Sequence, residues 1–154
     1  MTKVRAILWG GLFVGLFDIL DAIIFFGIRN GVPPDRIFQS IARGLLGRDA
    51  FTGGAATVAL GAVLHLFIAT GIVATCVFLS QKLTGLATRP FVFGPLYGLA
   101  AFAVMNLVVL PLSAAGRAHF DALGLANGLL IHALGVGLPS ALAAREVRRS
   151  SALN

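Results

Sequence analysis

The sequence predicts an all-α, polytopic membrane protein: four transmembrane helices and a short amphipathic helix between the first two. Three observations carry that reading. Four apolar stretches of about 22–26 residues recur along the chain, each long enough to span roughly 30 Å of hydrocarbon at 1.5 Å per residue. Charged residues make up only 12% and hydrophobic ones 58%, against about 25% and 45–50% in soluble domains. With so few charges the chain cannot cover a water-facing surface. The basic residues, finally, lie outside the apolar stretches, where topology and lipid headgroups call for them. A length of 154 residues leaves room for one bundle, a single transmembrane domain over 1–154.

The first stretch, 6–28, carries Asp18 and Asp21. Each central Asp costs about 2.5–3.5 kcal/mol on insertion scales, offset by the Leu, Ile and Phe around it. Lys3 and Arg5 ahead of an apolar run resemble a signal peptide, but no small-x-small cleavage site follows, so an uncleaved first helix is expected. Gly11, Gly15, Asp18 and Ala22 form one stripe that turns Asp18 inward and leaves Phe13, Phe17 and Ile24 toward lipid. An amphipathic helix is expected over 35–46, started by Pro33-Pro34-Asp35 and stopped by Gly47. Its apolar residues are Ile37, Phe38, Ile41, Leu45 and Leu46; Arg36, Gln39, Ser40 and Arg43 form the other face. Too short to span, it lies in the interface or caps the bundle.

The second stretch, 54–79, contains His65 and the lone cysteine, Cys76, a small packing residue without a disulfide partner. The third, 91–112, contains Asn106 and ends near Pro111; the fourth, 122–144, contains Asn127, His132 and Pro139. Glycine pairs four apart (Gly94 and Gly98, Gly124 and Gly128) allow close helix approach, and Thr57 with Gly61 plays that part in the second helix. Gly61-x-x-x-His65 and Gly128-x-x-x-His132 hint at a parallel two-hairpin repeat.

Orientation follows from the basic residues. Lys3, Arg5, Lys82, Arg89, Arg145, Arg148 and Arg149 fall on one side; Arg29, Arg36, Arg43, Arg48 and Arg117 fall on the other. The richer side is placed in the cytoplasm with both termini. The net charge of +6 thus serves topology, and nucleic-acid binding is excluded for want of a soluble basic domain.

Depth organises the polar residues. Asp18, His65 and His132 fall near mid-span; Asp21, Asn106 and Asn127 fall about 6–9 Å toward the outer side. These six define a candidate polar pocket. Two carboxylates three apart in low dielectric suit proton exchange or cation binding, or else hydrogen-bond the histidines or the outer arginines to fix packing. His65 and His132, on different helices, are candidate haem or metal ligands, with Asp18 and Asp21 as further ligands. Asn106 and Asn127 are expected to hydrogen-bond between helices. Arg43 and Arg48 are placed at lipid headgroups or reaching toward the acids, His119 in solvent, and Arg145, Arg148 and Arg149 at inner-face headgroups.

The glycine-rich first helix, the run from Pro33-Pro34-Asp35-Arg36 to Gly44-Leu45-Leu46-Gly47, Gly61-x-x-x-His65, Met105-Asn106 and Val109-Leu110-Pro111-Leu112-Ser113 together resemble a family of small bacterial four-helix inner-membrane proteins. More distantly, the layout is similar to the YagU-like membrane proteins. The resemblance implies fold and an inner-membrane location and carries over no catalytic residue. No phosphate-binding loop, nucleophile motif or clustered ligand motif is present, which disfavours a familiar soluble-type enzyme. Three functions fit: a small solute, ion or proton-coupled transport module; an accessory or structural subunit that docks a partner or a second copy through its glycine faces; or a haem- or metal-binding redox protein. The sequence names no cofactor.

Overall fold

The computed structural model describes residues 1–117 and 119–151. All regular structure among them is helical. Four helices are long and apolar enough to cross a membrane: α1 (Lys3–Asn30), α3 (Gly54–Leu79), α5 (Pro90–Leu112) and α6 (Ala122–Ser150). Two shorter helices, α2 (Pro34–Leu46) and α4 (Gly85–Thr88), lie in the connections, with a 3-10 turn over Gly47–Phe51.

α3 matches the apolar stretch 54–79 and α5 ends at Leu112 as expected, whereas α1 and α6 run past the limits of theirs, because local capping and helix propensity, not hydropathy, set those ends. Thr2 caps α1, its Oγ1 accepting from the Arg5 N–H at 3.3 Å. Six residues past Ala144, α6 still runs as helix through Arg145–Arg149, residues that favour helix once the apolar run has ended.

Pro111 and Pro139 shape the two C-terminal long helices. A proline lacks an N–H and clashes with the carbonyl four residues back. Here each is preceded by a π-helical turn, Met105–Val109 in α5 and His132–Gly137 in α6. The residue just before each proline donates five back instead of four: Leu110 N–H to Met105 O, and Leu138 N–H to Ala133 O. Widening the turn moves the crowded carbonyl aside without breaking the helix.

Around α6 pack α1, α3 and α5, while α1 also packs on α3. The seam is made of small side chains: Ala6, Val14, Val73, Cys76, Val136, Ala141 and Ala144 are buried, Cys76 among them as the packing residue expected. A Cβ on Gly98 would overlap the His132 carbonyl oxygen, so α5 meets the π turn of α6 backbone to backbone. By contrast α3 and α5 diverge; across the gap the Tyr97 hydroxyl donates to the Ile72 carbonyl at 2.6 Å.

α2 caps one end of the bundle, lying on α3. A Cβ on Gly61 would overlap the Phe38 carbonyl oxygen, so this glycine receives α2 and not another long helix. Ile37 and Ala42 are buried there, and Leu45 and Leu46 are exposed. Gln39, read from the sequence as polar face, is buried and donates through Nε2 to Thr57 Oγ1 at 3.3 Å. Gly44 O accepts from the Ala114 N–H at 3.0 Å, which ties the end of α2 to the α5–α6 connection.

Candidate functional site

Asp18 stands at the middle of α1, against the α3 and α6 faces that present His65 and His132. His65 Nε2 lies 4.0 Å from Asp18 Oδ2 and 2.7 Å from the Gly15 carbonyl. A carbonyl only accepts, so Nε2 carries a hydrogen and donates it to Gly15 O. His132 is held likewise: its Nδ1 donates to the Gly128 carbonyl at 3.0 Å, and its ring stands edge-on to Phe102 at 5.0 Å. Each imidazole therefore keeps its other nitrogen, Nδ1 of His65 and Nε2 of His132, without a hydrogen-bond partner among the described residues. The ionisable groups near enough to act on Asp18 are His132, His65 and Asp21.

The two acids of α1 divide. Asp21 Oδ2 accepts from Asn127 Nδ2 of α6 at 2.8 Å, the interhelical bond expected of Asn127. Asn106 does not bridge helices: its Nδ2 donates to the Phe102 carbonyl of its own helix at 2.9 Å. That oxygen is four residues back and within reach before any neighbour. The repeat in sequence likewise does not become a repeat of environment. His65 bonds across to α1 and His132 within α6; Gly61 faces α2 and Gly128 the Phe102 ring. Phe17, placed toward lipid, is half exposed and lays its ring edge on Gly135 of α6.

Two cavities flank Asp18. One, of about 420 Å³, is lined by Asp18, His65 and His132 together with Arg43, Ser113 and Phe120. The other, of about 380 Å³, lies between α1 and α2 and is lined by Asp18, His65, Ser40 and Arg36. Arg43 lines the first cavity and donates through Nη2 to the Ala115 carbonyl at 2.6 Å. It has no carboxylate partner among the described residues. Arg48 is exposed on the 3-10 turn, outside both cavities, and His119 is exposed as expected. At the opposite end of the bundle Arg145, Arg148 and Arg149 gather beside Ala87 and Thr88, and Arg149 also meets Glu146 at 3.4 Å. Among the described residues no three His, Cys, Asp or Glu side chains converge as a metal-ligand set.

An ion pair invisible to hydropathy joins α1 to α6. Arg29 donates bidentately to Asp121, with Nη1 at 2.9 Å from Oδ1. Asp121 also caps α6, its Oδ1 accepting from the Gly124 N–H at 2.8 Å. The hydrogen bond from Arg29, helped by that from Gly124, holds the Asp121 carboxyl down at about 2. An Asp directly before an apolar helical run is the signal that marks such a cap.

No family model, curated protein or solved structure matches the chain.

Proposed function

We propose that the four long helices cross a bilayer and enclose a proton-titrating pocket around Asp18, and that the protein is a small proton-coupled transport module of the cytoplasmic membrane. The observation that carries the reading is the seating of Asp18 between two cavities, beside two histidines that each keep one nitrogen open. A carboxylate at mid-helix in an apolar segment is costly, and such groups are retained where protons or ions are handled. Two backbone-anchored imidazoles lining the same cavity are groups that can exchange protons with Asp18 through water in that cavity. Arg43 and Arg36 of α2 are the other charged groups lining the two cavities, and Asp21 acts on Asp18 from along α1, so the charge of the pocket depends on how many protons the acid and histidines hold. Four apolar spans, with seven basic residues at the end that carries both termini and five at the other, support insertion with that end in the cytoplasm.

Carbodiimide modification tests this without knowledge of the transported solute, because the reagent attacks protonated carboxyls in apolar surroundings. In purified protein, mass spectrometry should locate the adduct on Asp18, with labelling that falls as pH rises. His65→Gln and His132→Gln should move the midpoint, and Asp18→Asn should abolish the adduct while the protein still extracts from membranes and unfolds like the parent. An Asp18 that stays unlabelled at every pH, or a midpoint indifferent to both histidines, would sink the reading.

A further inference from the structure

The cavity beside Asp18 is not closed on all sides. Below the histidines it shares Ile68, Ile72 and Met105 with a larger apolar groove of about 750 Å³, which follows the gap between α3 and α5. That volume lies within the roughly 300–1,000 Å³ of small-molecule sites. The groove runs along α3 from Ile68 to Leu79, about 16 Å at the helical rise. Its floor includes Gly71, where a side chain would meet open space.

In a bilayer, a groove of this kind fills with hydrocarbon, since a void beside lipid forfeits dispersion contacts. Transfer of a chain from lipid to the groove gains no hydrophobic energy, so selection rests on the polar end. That end offers one permanent charge without a carboxylate partner, the Arg43 guanidinium, whose fork fits a carboxylate through paired hydrogen bonds. It also offers two imidazole nitrogens without protein partners. Asp18 is the opposing charge. A single-anion head tolerates Asp18 best, because two carboxyls in one site can share one proton, whereas a more highly charged head would meet stronger repulsion.

We propose that the pocket and groove together bind a single-chain carboxylate amphiphile, its head at Arg43 and the histidines and its tail between α3 and α5. The proposal rests on the membrane-spanning, binding-pocket reading above and names the substrate class of that site. Binding draws a proton into the pocket along with the anion, which makes uptake of the amphiphile proton-coupled.

The test uses the full-length protein in nanodiscs and three photoreactive probes with the same dodecyl chain: a carboxylate, a phosphate and a trimethylammonium. The carboxylate should cross-link to the stretches around Ile72 and Tyr97, and unlabelled dodecanoate should compete. Arg43→Gln should weaken capture by about tenfold or more, since it removes the charge and at least one of the paired charge-assisted hydrogen bonds. Because Arg43 also ties α2 down, Gly71→Phe provides an independent arm: it fills the groove where space is open and should abolish capture in a folded protein. Equal capture of the ammonium or the phosphate probe overturns the carboxylate assignment. Cross-links spread over outward residues such as Phe13, Phe67 and Leu107, unmoved by Gly71→Phe, overturn the site. Carboxylate capture with an unreactive Asp18 in the carbodiimide assay removes the proton coupling and leaves the site; pH-dependent Asp18 without capture does the reverse.

Discussion

Arg29 and Asp121 show how much a side chain outside the apolar spans can fix. Asp121 caps α6 and receives Arg29 from the end of α1, so one carboxylate holds a helix start and a helix–helix junction together. Its pKa is depressed, from an ordinary 3.8 to about 2. A depressed carboxyl stabilises the fold fully above its ordinary value, and that contribution disappears as pH falls from about 4 through about 2. The pair is exposed and screened by salt, so the effect is modest. Asp121→Ala should lower the thermal midpoint at neutral pH, and the gap from the parent should close as pH falls through that window. Asp121→Asn should lose less, because Asn still caps. Equal losses for Ala and Asn would show that the cap contributes nothing. At this scale the sequence was legible wherever depth decided the matter. Asp18, His65 and His132 share one level because each sits near the middle of its span, and counting residues finds that. Partner choice was less legible. Asn127 reaches Asp21, but Asn106 turns back to Phe102 O, a preference set by rotamer and local backbone. Asp121 was hidden because an acid in a short connection reads equally as a solvated loop charge.

Among the helices, the glycines sort into those against which another backbone is pressed and those facing space. Gly98 belongs to the first kind, with the His132 carbonyl against it, and Gly71 to the second. Gly98→Ala forces α5 away from the π turn of α6 and should cost about 1–3 kcal/mol, the range for overpacking a close contact. Gly71→Ala meets nothing and replaces the weaker helix former, so its unfolding midpoint in detergent should equal or exceed the parent's. Identical behaviour of the two variants would mean that the α5–α6 contact is not what holds the bundle. Hydropathy located the four long helices because each is a continuous apolar run, and α2 was found instead from its Pro33-Pro34-Asp35 start, its Gly47 stop and the helical spacing of its apolar residues. Hydropathy placed α3 at 54–79 as observed but ended α1 and α6 short, because those ends depend on Thr2 at the start of α1 and on helix-forming arginines at the end of α6. The π turns before Pro111 and Pro139 could not be read from composition, since a proline can also kink or end a helix. Leu110-Pro111 and Leu138-Pro139 keep their helices here because the five-back hydrogen bond of the preceding leucine widens the turn around the carbonyl that the proline ring would crowd.

For the molecule as a whole, the arrangement makes a prediction about sidedness that its own chemistry simplifies. Four long helices, successively antiparallel, bring Lys3, Arg5, Lys82, Arg89 and the Arg145–Arg149 run to one end, and α2 with Arg36, Arg43 and Arg48 to the other. The difference of seven basic residues against five is small, so loop charge alone sets orientation weakly. The fold adds a structural asymmetry: the end capped by α2 carries the tie between Gly44 and Ala114 and the Arg29–Asp121 pair, while the other end carries the arginine cluster on α6. Anionic lipid of a cytoplasmic leaflet favours the latter, at about 1 kcal/mol per basic residue near the surface. Cys76 is the lone cysteine and is fully buried, so the parent protein should resist a membrane-impermeant maleimide in intact cells and after permeabilisation alike. Against that silent background, Arg48→Cys on the exposed 3-10 turn should label from outside. Arg148→Cys, on the exposed end of α6, should label only once the membrane is opened. The reverse pattern inverts the orientation, placing the Arg43 end of the pocket toward the cytoplasm. Labelling of both sites from outside means that α6 does not cross, and with it falls the enclosed pocket on which proton coupling depends.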